Sequence, residues 1–249
     1  MQRVEHVMGM PIVVDVRDDG VDGTIVEQVF DWLRHVDAVF STYKEDSEIS
    51  RLERGELLLE HAQPDVRAVL ERCAELREKT DGYFDARYAG KLDPSGLVKG
   101  WAVDRAAAIL DEGGVRNYAV SAGGDMRVRG GALPDPAWRI GIQHPHRRDQ
   151  VAAVVETRSL AVATSGEYAR GRHVWNPHTS APPNGVLSVT IAGPDLATAD
   201  AYATAAFAMG ARGPHWTARL NGYEAMTILA DGLVLSTPGF ATARETTFA

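Results

Sequence analysis

A single cysteine, Cys73, stands in 249 residues, so no disulfide can form within the chain. Cys73 falls in a helical pattern with Val69 and Leu76, which reads as a buried hydrophobe rather than a reactive thiol. Long basic blocks are missing too. The formal charge is -8, and clusters such as His146-Arg147-Arg148 are short and expected at the surface. That balance argues against a nucleic-acid partner. No apolar run is long enough to span a membrane. Met1-Gln2-Arg3-Val4-Glu5-His6 is charged and has no apolar stretch behind it, so neither a signal peptide nor a lipid anchor is expected, and the default location is the cytoplasm. There is no Gly-x-Ser-x-Gly elbow, which makes a covalent hydrolase a poor first choice. Neither the Gly-x-Gly-x-x-Gly dinucleotide fingerprint nor a Walker A loop is present. Repeats and low-complexity segments are absent as well.

What is present is ordinary globular material. At 45% hydrophobic and 24% charged residues, the chain can build one large domain or two intimately packed subdomains. Ile12 to Arg17 reads as a strand, opened by Met8-Gly9-Met10-Pro11. Thr24 to Phe40 has helical spacing, with Ile25, Val29, Trp32, Leu33, Val36 and Phe40 on one stripe. Thr24 and Glu27 fit a capping box at its start. The stretch from Phe40 to Leu52 carries aromatics and a Glu48/Arg51 pair, and reads either as a ligand-facing loop or as a connector. Pro64 to Lys79 is a second helix, with Val66, Val69, Leu70, Cys73 and Leu76 inward, closed by Thr80-Asp81-Gly82. Tyr83-Phe84-Asp85 is a short element. The spacing predicts a third helix over Lys99 to Leu110, closed by Gly113-Gly114, and a fourth over Leu196 to Met209. Strands are expected at 118–121, 126–130, 138–142, 151–156, 159–165 and 187–191. A closing hairpin of 224–229 and 233–237 turns at Asp231-Gly232. The order contains no long βαβ series. An α+β fold with largely antiparallel sheets packed with helices is expected.

Four segments can carry chemistry. Asp200 and Thr204 lie four residues apart among alanines, which puts a carboxylate and a hydroxyl on one helix face. Oxygen donors of that kind suit a hard cation such as Mg²⁺. Ser95-Gly96-Leu97-Val98-Lys99-Gly100 reads as a glycine turn feeding a helix. Its N–H groups and the Lys99 charge would suit a diphosphate, but many helices start this way, and a plain folding role is the leading alternative. Ser121-Ala122-Gly123-Gly124-Asp125 allows a ligand close to the backbone, or is simply a tight hairpin. Thr164-Ser165 precede His173 and His178; no third ligand at zinc spacing accompanies the histidines, so His173 is either a ligand contact or a structural hydrogen bonder.

These segments, in their order along the chain, resemble the ApbE family, the FAD:protein FMN transferases. The resemblance rests on Met8-Gly9-Met10-Pro11, Phe40-Ser41-Thr42-Tyr43 with Ser47 to Leu52, Thr80 to Asp85, and Leu92 to Gly100 with Ala102-Val103-Asp104. It continues through Ala119 to Asp125, Ala163 to Tyr168, His173 to Pro177 and Ala199 to Thr204. It implies an ApbE-like, T-fold-like architecture over residues 1–249 as one flavin transferase domain. It implies a Mg²⁺-dependent enzyme, with Mn²⁺ as an alternative ion, that takes FAD as substrate. Such an enzyme moves FMN to a threonine or serine of a target flavoprotein and releases AMP. By the same resemblance, Asp200 and Thr204 hold the metal together with backbone carbonyls at Ala203 and near Gly96. Flavin and adenine contacts map to Met10, Tyr43, Glu48, Tyr83, Lys99 and Asp125, with Thr164, Ser165 and His173 in the same pocket. Asp200, Lys99 and His173 are the catalytic candidates. The alternatives are an FAD pyrophosphatase giving FMN and AMP, or a flavin-binding protein without catalysis. Two departures stand out. The family's usual His-x-x-Asp-Pro-x-Thr-Gly is His173-Val174-Trp175-Asn176-Pro177-His178-Thr179-Ser180 here, and its Asp-Leu-Gly is Asp93-Pro94-Ser95.

Overall fold

A computed structural model describes residues 1–88, 90–147, 149–166 and 174–240. Its centre is an eight-stranded sheet. Strand β1 (Gln2–Val7) pairs with β2 (Met10–Val16) through the two-residue turn Met8-Gly9, where both residues have positive φ. This first strand was hidden in the sequence by its charges. As an edge strand it carries Arg3 and Glu5, which pair with Glu27 and Arg34 of the neighbouring helix.

Helix α1 (Gly23–Phe40) follows, then the short α2 (Glu48–Glu53) and α3 (Pro64–Lys79). Asp22, not Thr24, caps α1: its carboxylate accepts from Thr24 N at 3.0 Å. Thr24 lies inside the first turn, and Glu27 is drawn to Arg3 and Arg34 instead of to the cap. The buried stripe is Val26, Val29, Phe30, Leu33, Val36 and Val39 with Phe40. The open stretch after Phe40 resolves into α2, capped by Ser47, whose hydroxyl accepts from Ser50 N at 3.1 Å.

A small ribbon of β3 (Arg87–Tyr88) and β4 (Lys91–Leu92) leads to α4 (Ser95–Glu112). This helix starts four residues before the expected Lys99. Pro94 precedes its first turn, and Asp93 Oδ1 accepts from Ser95 N at 3.0 Å, so Asp93-Pro94 is the start signal. Strands β5 (Tyr118–Ala122) and β6 (Asp125–Arg129) form a hairpin, and β7 (Trp138–Gln143) pairs with β8 (Val151–Thr157) as a separate ribbon. Then come β9 (Ser159–Gly166), β10 (Val186–Gly193), α5 (Leu196–Ala208), the short α6 (Gly213–Thr217), β11 (Glu224–Leu229) and β12 (Val234–Ser236).

The sheet order is β1-β2-β5-β6-β9-β10-β11-β12, and each neighbouring pair is antiparallel. The fold is mixed α+β. One sheet face carries the larger core, where Ile12, Val14, Val120, Ala161, Ala163 and Ile191 meet α1, α3, α4 and α5. Period-two alternation sends Ala119, Val128 and Val162 to the other face, beneath Trp138, Ile140 and Val155 of the β7–β8 ribbon. The helical face positions the site, because α4 and α5 cross it side by side.

Candidate active site

The β5–β6 turn sets the first side chain. Gly123 and Gly124 both take positive φ, +59° and +100°, which lets two residues reverse the chain. Asp125 therefore begins β6 at the sheet's end, on the helical face. Its Oδ1 accepts from Thr164 N at 2.9 Å, which ties the end of β6 to β9.

Above it, Ser95, Gly96 and Lys99 lie on the first turns of α4, and α5 presents Asp200 and Thr204 one turn apart. Lys99 joins all three elements. Its ammonium pairs with Asp125 Oδ2 and reaches Asp200 Oδ1 at 3.2 Å. Both carboxylates are nearly closed to solvent, with Asp125 3% and Asp200 4% exposed. Buried carboxylates of this kind need a positive partner, and here two of them share one lysine. Thr204 Oγ1 stands 3.5 Å from Ser165 Oγ of β9. A Cβ at Gly96 would lie 3.7 Å from the same Thr204 oxygen. Thr164 turns its hydroxyl to Thr190 on β10 at 2.9 Å.

An open cleft runs over this cluster. Lys99, Asp200, Thr204, Ser165 and Gly96 form its polar floor, and Tyr83, Phe84 and Trp175 supply aromatic wall. The wall is braced. Thr80, fully buried at the end of α3, accepts from Phe84 N at 3.0 Å. The Tyr83 ring lies 4.5 Å from the His178 ring, and its hydroxyl meets Arg212. His178 in turn bonds the Asp81 carbonyl at 2.9 Å.

The donor chemistry at Asp200 is one carboxylate with two neighbouring hydroxyls, all hard oxygen. No group of three His, Cys, Asp or Glu able to hold a metal is found among the described residues. Such a set fits Mg²⁺ or Mn²⁺ better than zinc. The N–H groups expected to cradle an anion are largely spent. Ser95 N is taken by Asp93, and Leu97 N and Val98 N both by the Pro94 carbonyl, at 2.9 and 3.0 Å. Because the helix begins at Ser95, Lys99 acts through its side chain and not at a helix start.

The ApbE family model matches residues 8–90 and 86–227, nearly the whole chain. The chain belongs to the ApbE family. Among curated relatives, the FAD:protein FMN transferase of Vibrio cholerae is 36% identical over 129 residues, covering 48% of this chain and 39% of the relative. That of Salmonella typhimurium is 30% identical over 151 residues, covering 57% and 43%. The matched stretch thus spans under half the length of either relative. The crystal structure of the ApbE protein from Thermotoga maritima superposes with a TM-score of 0.85 at 24% identity, covering 96% of this chain and 97% of that one. The flavin transferase ApbE from Vibrio cholerae gives 0.83 at 24%, covering 96% and 98%. At that identity these two show the shared fold.

The ApbE-family resemblance also pointed to residues away from the floor. Tyr43 is 95% exposed and does not line this cleft. Glu48, half-buried at the start of α2, accepts from Gln63 N at 2.8 Å. Met10 is half-buried at the head of β2 and packs against the main core. Neither lines the cleft. Ala203 is fully buried within α5, so its carbonyl is its only candidate donor. His173 lies outside the described residues.

Asn176, which replaces the family's usual Asp, has a visible local task. Its Oδ1 accepts from His178 N at 2.9 Å, and its carbonyl accepts from Ser180 N at 2.8 Å. An amide oxygen serves that turn as well as a carboxylate does. Phe84 and Trp175 were missed as cleft walls, because apolar residues in a loop carry no periodic signal.

Proposed function

We propose that this chain is a FAD:protein FMN transferase, moving FMN from FAD to a threonine or serine of a target flavoprotein with release of AMP. The observation that carries this reading is the floor of the cleft. A lysine shared by two buried carboxylates stands beside two hydroxyls, under aromatic walls, in a member of a family whose curated relatives bear that activity.

Asp200 and Thr204 would hold the divalent ion, with Ser165 and the carbonyls near Gly96 and Ala203 as further oxygen donors. When bound, Mg²⁺ supplies positive charge that offsets the diphosphate as AMP departs. Lys99 is a point charge at the same place. Its ammonium can move from the carboxylates to diphosphate oxygens without a change in backbone. Tyr83 and Trp175 offer flat faces for the rings of FAD, and with the buried Phe84 they exclude water from the reacting centre.

The acceptor hydroxyl forms a bond to the flavin-side phosphorus. The phosphorus–oxygen bond to AMP breaks, and AMP leaves with the electron pair. The hydroxyl proton passes to a carboxylate, for which Asp200 is the candidate. His173 remains a candidate for a second proton carrier.

Incubation with FAD and Mg²⁺, with and without a flavoprotein domain bearing an acceptor threonine, tests the reading. Covalently yellow acceptor supports it. Free FMN with unlabelled acceptor points to a pyrophosphatase, and unchanged FAD to a binding protein.

A further inference from the structure

We propose that Asp104 and Gly100 are positioning residues that set the register of α5 on α4, and through it the distance from Lys99 to Asp200. This inference rests on the reading of the cleft as a divalent-ion and diphosphate site.

Gly100 and Asp104 lie one turn apart on the face of α4 that meets α5. At Gly100 the two backbones touch. A Cβ there would lie 2.5 Å from the Leu196 carbonyl oxygen and 2.8 Å from Ala197 Cα. At Asp104 the carboxylate takes the first N–H groups of α5. Oδ1 and Oδ2 accept from Leu196 N at 3.0 and 2.8 Å, and Oδ2 accepts from Ala197 N at 2.8 Å. The next donor, Thr198 N, goes to Asp195 at 2.8 Å, and Tyr223 bonds the same aspartate. Two carboxylates therefore occupy three successive donors of α5, and the carboxylate from α4 fixes where that helix begins.

The consequence follows from helix geometry. Lys99 directly precedes Gly100, and Asp200 lies one turn beyond Leu196. The clamp and the ion pair are rungs on the same two rails. A slip of one residue moves a helix by ~1.5 Å along its axis. That displacement is about half of the 3.2 Å Lys99–Asp200 separation. Burial pushes the Asp104 carboxyl up from its ordinary value, while the Leu196 and Ala197 N–H bonds pull it down.

The test compares Mn²⁺ affinity, by electron paramagnetic resonance, in the wild type, Asp104→Ala, Asp104→Asn, Asp200→Ala and Asp18→Ala. Asp18 is the control. It also accepts three N–H bonds, from Arg116, Asn117 and the Asn117 side chain, at the far end of β5. Asp104→Ala is expected to bind Mn²⁺ about tenfold more weakly. Asp104→Asn, which keeps one accepting oxygen, should recover part of that loss. Asp18→Ala should lower the melting temperature and leave Mn²⁺ affinity unchanged. A folded Asp104→Ala with wild-type affinity overturns the clamp while leaving the site intact. A loss in Asp18→Ala equal to that in Asp104→Ala overturns it as well, since general destabilisation would then explain both. A wild type that binds no Mn²⁺, or an Asp200→Ala that binds as well as wild type, overturns the site reading and the clamp with it.

Discussion

Lys99 is the residue on which the local electrostatics turn. Its side chain is 15% exposed and pairs with two buried carboxylates at once. Cys73 shows the opposite design, a titratable group kept from chemistry. Burial first, and the Asp85 charge second, push its thiol up to about 12. Iodoacetamide at pH 8 should therefore leave Cys73 unlabelled in the native protein and label it in urea; rapid native labelling would contradict its inert role. Asp200 and Thr204 were legible in the sequence as a pair because four-residue spacing guarantees a shared helix face. The family resemblance put Lys99 and Asp125 in the same site, but their ion pairing was not legible, because it joins three elements far apart in the chain that only the fold brings together. Asn176 stands out in the sequence as a departure from the family's usual Asp, yet in the structure it performs a turn bond that needs only an oxygen.

At the scale of elements, α5 carries Asp200 and Thr204 and is held at its start. Its alanine-rich face lets α4 and the sheet approach closely, but alanine offers little to anchor a helix by shape. Asp195, Asp104 and Tyr223 supply that anchor in polar bonds. Asp195→Ala removes a cap and strands the Tyr223 hydroxyl. It should cost ~1–2 kcal/mol in urea unfolding; an unchanged midpoint would contradict this account of the anchor. Element boundaries were read well where both ends carry punctuation, as in α3 between Pro64 and Thr80. They were read late at α4, because the glycines at 96 and 100 look like a turn. Gly100 is in fact a contact point between helix backbones, and pairwise approach leaves no trace in one sequence.

At the scale of the molecule, the described residues build an eight-stranded antiparallel sheet with helices on one face and the β7–β8 ribbon on the other, while the small β3–β4 ribbon stands apart from that sheet. No helix among the described residues is long and apolar enough to cross a membrane. The larger core hides groups that resist losing protons. Burial raises Tyr118 and Tyr223 above 10.0, each with help from a bonded aspartate, Asp111 and Asp195. With Cys73 they fix the sign of the alkaline response. From about pH 9 upward the unfolded chain gives up protons that the folded chain keeps, so stability falls as pH rises. Melting temperatures should decline steadily from pH 9 to 11; a flat profile would contradict the burial of these groups. Antiparallel architecture was legible from the spacing of strands and the lack of a βαβ series. The first strand was not, since an edge strand laced with charge hides its alternation.

The cleft's assignment is tested most directly by counting AMP released from FAD in the presence of Mg²⁺ and a flavoprotein domain bearing an acceptor threonine, for the wild type and for Asp200→Ala. The wild type should release one AMP for each FAD consumed, and the variant should fall to the level of FAD in buffer while remaining folded. AMP release by Asp200→Ala at the wild-type rate, or none from the wild type with acceptor present, would contradict the account of this site.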